Sequence, residues 1–185
     1  MRHPSPTRAP LPPIPPRLHD WPVAVRSAAL LRGIAVRCGP GIRLVSWPDT
    51  PSVRAAAIGD AFTVDHVAAH RTAAWIWGAV RGPGARLSFI VRRGRPNDLG
   101  SETGVALHQY RLGASEVVAI GPYAATSPRR TLYDLLRGAE FSHEHRLACR
   151  MLLTHAIGSR EGFLAELPMR RRPNERRIVA RLREL

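Results

Sequence analysis

The residues best placed to do chemistry in this chain are histidines, arginines and one aspartate. His66 and His70 stand four apart, the spacing of a helical metal pair. However, Val67-Ala68-Ala69 crosses a strand-to-helix junction and no third ligand is signalled, so both are expected to be structural or surface histidines. His143 and His145 fall in the first turn of a helix and carry no clear role. No Gly-x-Ser-x-Gly elbow is present, and no close carboxylate pair sits in an apolar setting. The chain contains no lysine. A P-loop needs its lysine on the phosphates and a pyridoxal enzyme needs a Schiff-base lysine, so both are excluded. No catalytic residue, metal ligand or cofactor is predicted.

All 28 basic residues are arginine, against 14 acids, for a formal charge of +14 in 185 residues. A GC-rich genome explains arginine over lysine but not the two-to-one excess of base over acid. Residues 1–60 contribute +5, residues 61–138 +5 and residues 139–185 +4. So even a spread predicts an extended basic surface, with a nucleic acid as the first partner to consider and an acidic protein as the second. The guanidinium fork suits phosphates and base edges. The densest run is Arg170, Arg171 and Arg172 with Arg176, Arg177 and Arg181, either a DNA-contacting edge of the last helix or simply a solvated face. Arg32, Arg37 and Arg43, around a Cys-Gly-Pro-Gly turn, form a sparser second candidate.

These side chains need elements to hold them. Residues 1–20 read as a proline-rich disordered leader, with eight prolines by Pro22 and nothing like a signal peptide. Residues 21–60 read as a partial winged helix: a short helix Val23 to Leu31, strands Ile34 to Arg37 and Ile42 to Ser46, then a helix from Pro51 capped by Thr50. The two helices that should open such a domain are missing. From 61 to 185 the pattern predicts an α+β domain. A strand near Val64 to Ala68 precedes a helix from Arg71 to Trp77. Strands follow around Leu87 to Val91, Val105 to Leu112, Val117 to Ile120 and Tyr123 to Thr126, as a small, mostly antiparallel sheet.

Four helices close the chain. The first starts at Pro128 behind the Ser127 cap, with Leu132, Leu135 and Leu136 inward. The second follows Ser142, with Leu147, Ala148, Met151 and Leu152 inward. The third runs from Ser159 to Leu167. The fourth starts at Asn174, with Ile178, Leu182 and Leu185 on one stripe. Cys38 and Cys149 are expected to be buried free thiols. No apolar run approaches the ~20 residues that cross a bilayer, so a cytoplasmic location is expected.

The most informative string is Thr126-Ser127-Pro128-Arg129-Arg130-Thr131-Leu132-Tyr133-Asp134-Leu135. Helix initiation explains Ser127 and Pro128 but does not require Arg130, Thr131 or Asp134. The string resembles the Thr-x-Pro-x-Arg-Thr-x-x-Asp-Leu signature of the AbiEi antitoxins of type IV toxin–antitoxin systems. Upstream, His70-Arg71-Thr72-Ala73-Ala74-Trp75-Ile76-Trp77-Gly78 resembles that family's His-x-Ser/Thr-Ala-Ala-x-x-x-Gly segment. The resemblance spans roughly residues 50–160. It implies an N-terminal winged helix that represses its own operon and a C-terminal α+β domain that opposes a nucleotidyltransferase-like toxin. The residues it singles out are His70, Arg71, Arg129, Arg130, Thr131 and Asp134. The implied partners are DNA of the protein's own promoter region and a toxin of that kind, with oligomeric state open.

Overall fold

The computed structural model describes residues 13–92, 104–165 and 174–185. The fold is α+β. A helix and hairpin at the N-terminus lead into a five-stranded sheet, and a helical layer follows.

The N-terminal unit builds its own small core. A 3-10 turn at Leu18–Asp20 buries Leu18, so the chain enters this core before the end of the proline-rich stretch. Helix α1 (Val23–Leu31) contributes Ala29, and strands β1 (Ala35–Cys38) and β2 (Gly41–Leu44) contribute Ala35 and Ile42. The hairpin is antiparallel, with Ala35 opposite Leu44 and Cys38 opposite Gly41. Its turn passes through Gly39 at φ +58°, a left-handed conformation that glycine takes at no steric cost. A Cβ there would lie 2.7 Å from the Trp75 ring, and one at Gly41 would overlap the Ala57 carbonyl. The hairpin tip is therefore docked onto the body of the protein and does not project as a free wing.

Thr50 caps α2 (Pro51–Ala57) by accepting from the Val53 amide, and proline at the first helical position is preset for the turn. The main sheet has the order β5-β4-β3-β7-β6. Its strands are β3 (His66–Ala68), β4 (Leu87–Val91), β5 (Val105–His108), β6 (Val117–Ile120) and β7 (Tyr123–Thr126). The β3–β4 and β6–β7 pairs are antiparallel, whereas β3–β7 and β4–β5 are parallel. The parallel β3–β7 pairing sets the end of β3 beside the end of β7, and each strand leads directly into a helix: α3 (His70–Ile76) and α4 (Pro128–Arg137). Both resemblance strings thus start from the same end of two adjacent interior strands.

The remaining helices are α5 (His143–Leu152), which runs into a π turn at Leu153–Ile157, then α6 (Arg160–Ala165) and α7 (Glu175–Arg183). Their core joins Leu132, Leu135 and Leu136 of α4 to Ala148, Cys149 and Leu152 of α5, Phe163 of α6, and Ile178 and Leu182 of α7. Helix α5 is rotated from the expected orientation: Leu147 and Met151, expected inward, are 45% and 42% exposed. Ala148 and Leu152 are buried as expected, and Cys149 joins them against α4 in place of Leu147 and Met151. Strand β5 ends at His108, four residues short of the predicted end, because Tyr110 turns back to pack on the His70 and His108 rings. Both cysteines are buried free thiols, pushed up by burial to about 11 for Cys38 and about 12 for Cys149. Among the described residues, no helix is long and apolar enough to cross a membrane.

Candidate functional site

The residues singled out by the resemblance divide between a buried ionic centre and the surface around it. Asp134 is fully buried on α4, and Arg130, one turn earlier, is 6% exposed. Arg130 Nε donates to Asp134 Oδ2 at 3.0 Å, and its Nη1 donates to Glu116 Oε2 at 3.0 Å. Arg137 brings its Nε to 2.9 Å from Asp134 Oδ1, an ion contact without hydrogen-bond alignment. Two guanidiniums thus face two carboxylates. Such a balance is what makes burial of Arg130 and Asp134 tolerable, because each loses its hydration shell while the partly exposed Arg137 and Glu116 supply the opposing charges. Burial works against the Arg130 charge, but Asp134 and Glu116 outweigh it and raise its pKa.

The start of α4 is held as tightly. Ser127 Oγ accepts from the Arg130 amide at 3.3 Å. Thr131, fully buried, donates back to the Ser127 carbonyl at 2.9 Å and shares a 2.8 Å hydrogen bond with Thr126 Oγ1. From the other string, Trp77 Nε1 donates to the Thr126 carbonyl at 2.8 Å, and Thr72 Oγ1 accepts from the Ser88 amide at 2.8 Å. The two strings meet, and their polar residues hold α3 and α4 to the sheet.

His70 opens α3 at φ +49°, where a non-glycine residue is strained. Its ring lies 4.5 Å from His108 and 5.9 Å from Tyr110, and the Arg137 guanidinium stacks 4.2 Å over Tyr110. Burial pushes His70 down to about 4, against the pull of Asp134, so the imidazole is neutral near pH 7. Its Nε2 is buried without a partner among the described residues. His66 lies on β3, stacked on Phe89 and within 3.2 Å of the Ala61 carbonyl, so the two histidines do not share a helix face.

This arrangement makes stability depend on pH. Between the ordinary histidine value of 6.5 and about 4, the unfolded chain binds a proton that folded His70 refuses. The stability contributed by the neutral ring is present above 6.5 and lost as pH falls toward 4. The half-buried His108, also lowered chiefly by desolvation, acts in the same direction. Urea midpoints at pH 7, 5.5 and 4.5 should fall steadily, and His70→Asn, which tolerates positive φ, should flatten the fall. An unchanged slope in that variant would remove His70 as its source.

Of the residues singled out by the resemblance, Arg71 and Arg129 lie at the periphery of this centre. Arg71 pairs with Glu144 and donates to the Gly82 carbonyl, and Arg129 donates to the Gly162 carbonyl at 3.1 Å. Of the predicted DNA contacts, Arg32 and Arg37 are exposed. Arg43 is partly engaged: its Nη1 donates to the carbonyls of Trp47 at 2.8 Å and Leu44 at 3.3 Å, fastening the end of the hairpin. Arg176 is exposed on α7, and Arg177 reaches the Arg137 carbonyl at 3.4 Å. Arg181 is likewise engaged inside the fold. It donates to the carbonyls of Leu136 at 2.8 Å and Gly138 at 2.7 Å, at the end of α4. Arg170, Arg171 and Arg172 lie outside the described residues.

Arg137, Glu116, His108 and Tyr110 join the centre without having been singled out from sequence. Only Arg137 carried a signal, three residues after Asp134 on one helix. The chain matches no family model, no curated protein and no solved structure.

Proposed function

We propose that this protein is a DNA-binding antitoxin that acts by association, with no catalytic residue or cofactor of its own. It represses its own operon and opposes a nucleotidyltransferase-like toxin in the cytoplasm. The observation that carries the reading is a helix followed by a basic hairpin, with Arg32 and Arg37 exposed on it, joined to a domain whose two strings resemble the AbiEi motifs. The formal charge of +14 supports a polyanionic partner. Arg130, Thr131 and Asp134 serve this function by holding the domain together, Arg130 and Asp134 through their ion pair and Thr131 through its hydrogen bonds to Thr126 and Ser127, while the His70 ring packs against His108 and Tyr110.

A second reading takes the protein as an interaction module for an acidic protein partner. The docked hairpin tip favours it, as do Leu147 and Met151, exposed one turn apart on α5. A promoter reporter separates the two readings. Expression of the chain should repress its own upstream region and relieve growth arrest by the neighbouring toxin. Relief without repression, together with a stable complex with the toxin, would replace the first reading by the second.

A further inference from the structure

Between the N-terminal unit and the main sheet lies an open cleft of about 610 Å³, within the range that holds small ligands. Its walls come from both units: α1 and the hairpin on one side, and the β4–β5 edge with the residues following α2 on the other. Two guanidinium side chains line it, Arg26 from α1 and Arg37 from β1, together with the His19 ring. Leu87 and Val105 of the sheet supply an apolar floor, and Asp60 is the one carboxylate among the described residues of the lining.

Arg26 is the informative residue. Its Nε is buried and has no hydrogen-bond partner among the described residues. A buried donor on a cation is costly to leave unpaired, so a site that keeps one open is suited to an acceptor arriving from outside.

We propose that this cleft binds a nucleotide: a phosphate on Arg26 and Arg37, a planar base over Leu87 and Val105, and hydrogen-bond donors of the ligand turned to Asp60. Each part answers one feature of the lining. Inorganic phosphate would use the guanidiniums and leave the apolar floor bare, whereas a nucleoside would leave Arg26 unpaired. The site is separate from the buried ionic centre; it shares Arg37 with the proposed DNA face, whereas Arg26 belongs to the cleft alone.

Isothermal titration of the full chain with adenosine and guanosine monophosphates, both nucleosides and inorganic phosphate, at constant ionic strength, tests it. At least one nucleotide should bind about tenfold or more tightly than its nucleoside and than phosphate, reflecting one charge-assisted contact. Arg26→Gln and Arg37→Gln should each reduce that affinity about tenfold while melting temperatures hold. Arg32→Gln, outside the cleft, should leave it unchanged, which keeps this outcome apart from any loss of DNA binding. No binding by either nucleotide at millimolar concentration, phosphate binding as well as a nucleotide, or wild-type affinity in both cleft variants would overturn the proposal.

Discussion

Asp134→Ala should cost roughly 3–5 kcal/mol of folding stability, the largest effect of any single substitution considered. The reason lies in what remains behind. Arg130 is 6% exposed and Arg137 18%, and both direct a guanidinium nitrogen to within 3.0 Å of the Asp134 carboxylate. Removing the carboxylate leaves two positive charges facing each other in a buried setting, with Glu116 answering only Arg130. Asp134→Asn keeps the shape and one acceptor but not the charge, so it should fall between wild type and alanine. Urea unfolding monitored by tryptophan fluorescence reads the difference directly. A loss below about 1 kcal/mol, the range of exposed ion pairs, would mean that these charges are hydrated rather than paired.

The second large effect concerns DNA. The double variant Arg32→Gln/Arg37→Gln should lower the slope of log affinity against log salt by about 1.8, since each neutralised phosphate contributes about 0.9. Arg43→Gln should leave that slope alone, because its guanidinium is held through Nη1 to the Trp47 and Leu44 carbonyls. The contrast matters because all three residues belong to one segment and carry one charge. A model in which only total charge counts expects each substitution to act alike. If Arg43→Gln changes the slope as much as either of the others, the hairpin has no defined contact face.

Much of this architecture was legible in the chain because local rules and tertiary packing agree there. Thr50-Pro51 and Ser127-Pro128 start helices as cap and first-turn residues should. Ile178 and Leu182 sit on the buried stripe of α7 at helical spacing. The α+β class followed from strands giving way to amphipathic helices. What periodicity does not carry is rotation: Leu147 and Met151 fit an inward stripe as well as Cys149 and Leu152 do, and only the packing of α5 against α4 selects between them.

The site was partly legible for a related reason. Arg130 and Asp134, four apart, announce a helical pair, but Glu116 and His108 arrive from other elements through the strand order. Arg43 and Arg181 were grouped with the DNA candidates on charge alone, and each donates to backbone carbonyls of the fold. Whether an arginine faces solvent or a carbonyl at a helix end is settled by neighbours distant in sequence, 45 residues away for Arg181 and Leu136. Arginine density therefore marks where the guanidiniums are and leaves open what they hold.

The central claim is that the helix and hairpin read the protein's own promoter region. Fluorescence anisotropy against that upstream duplex and a scrambled duplex of equal composition, at low and near-physiological salt, tests it most directly. A preference for the native sequence that persists at the higher salt is the predicted result. Equal binding to both duplexes that vanishes as salt rises would contradict it and would reduce the arginine surface to a generic electrostatic grip.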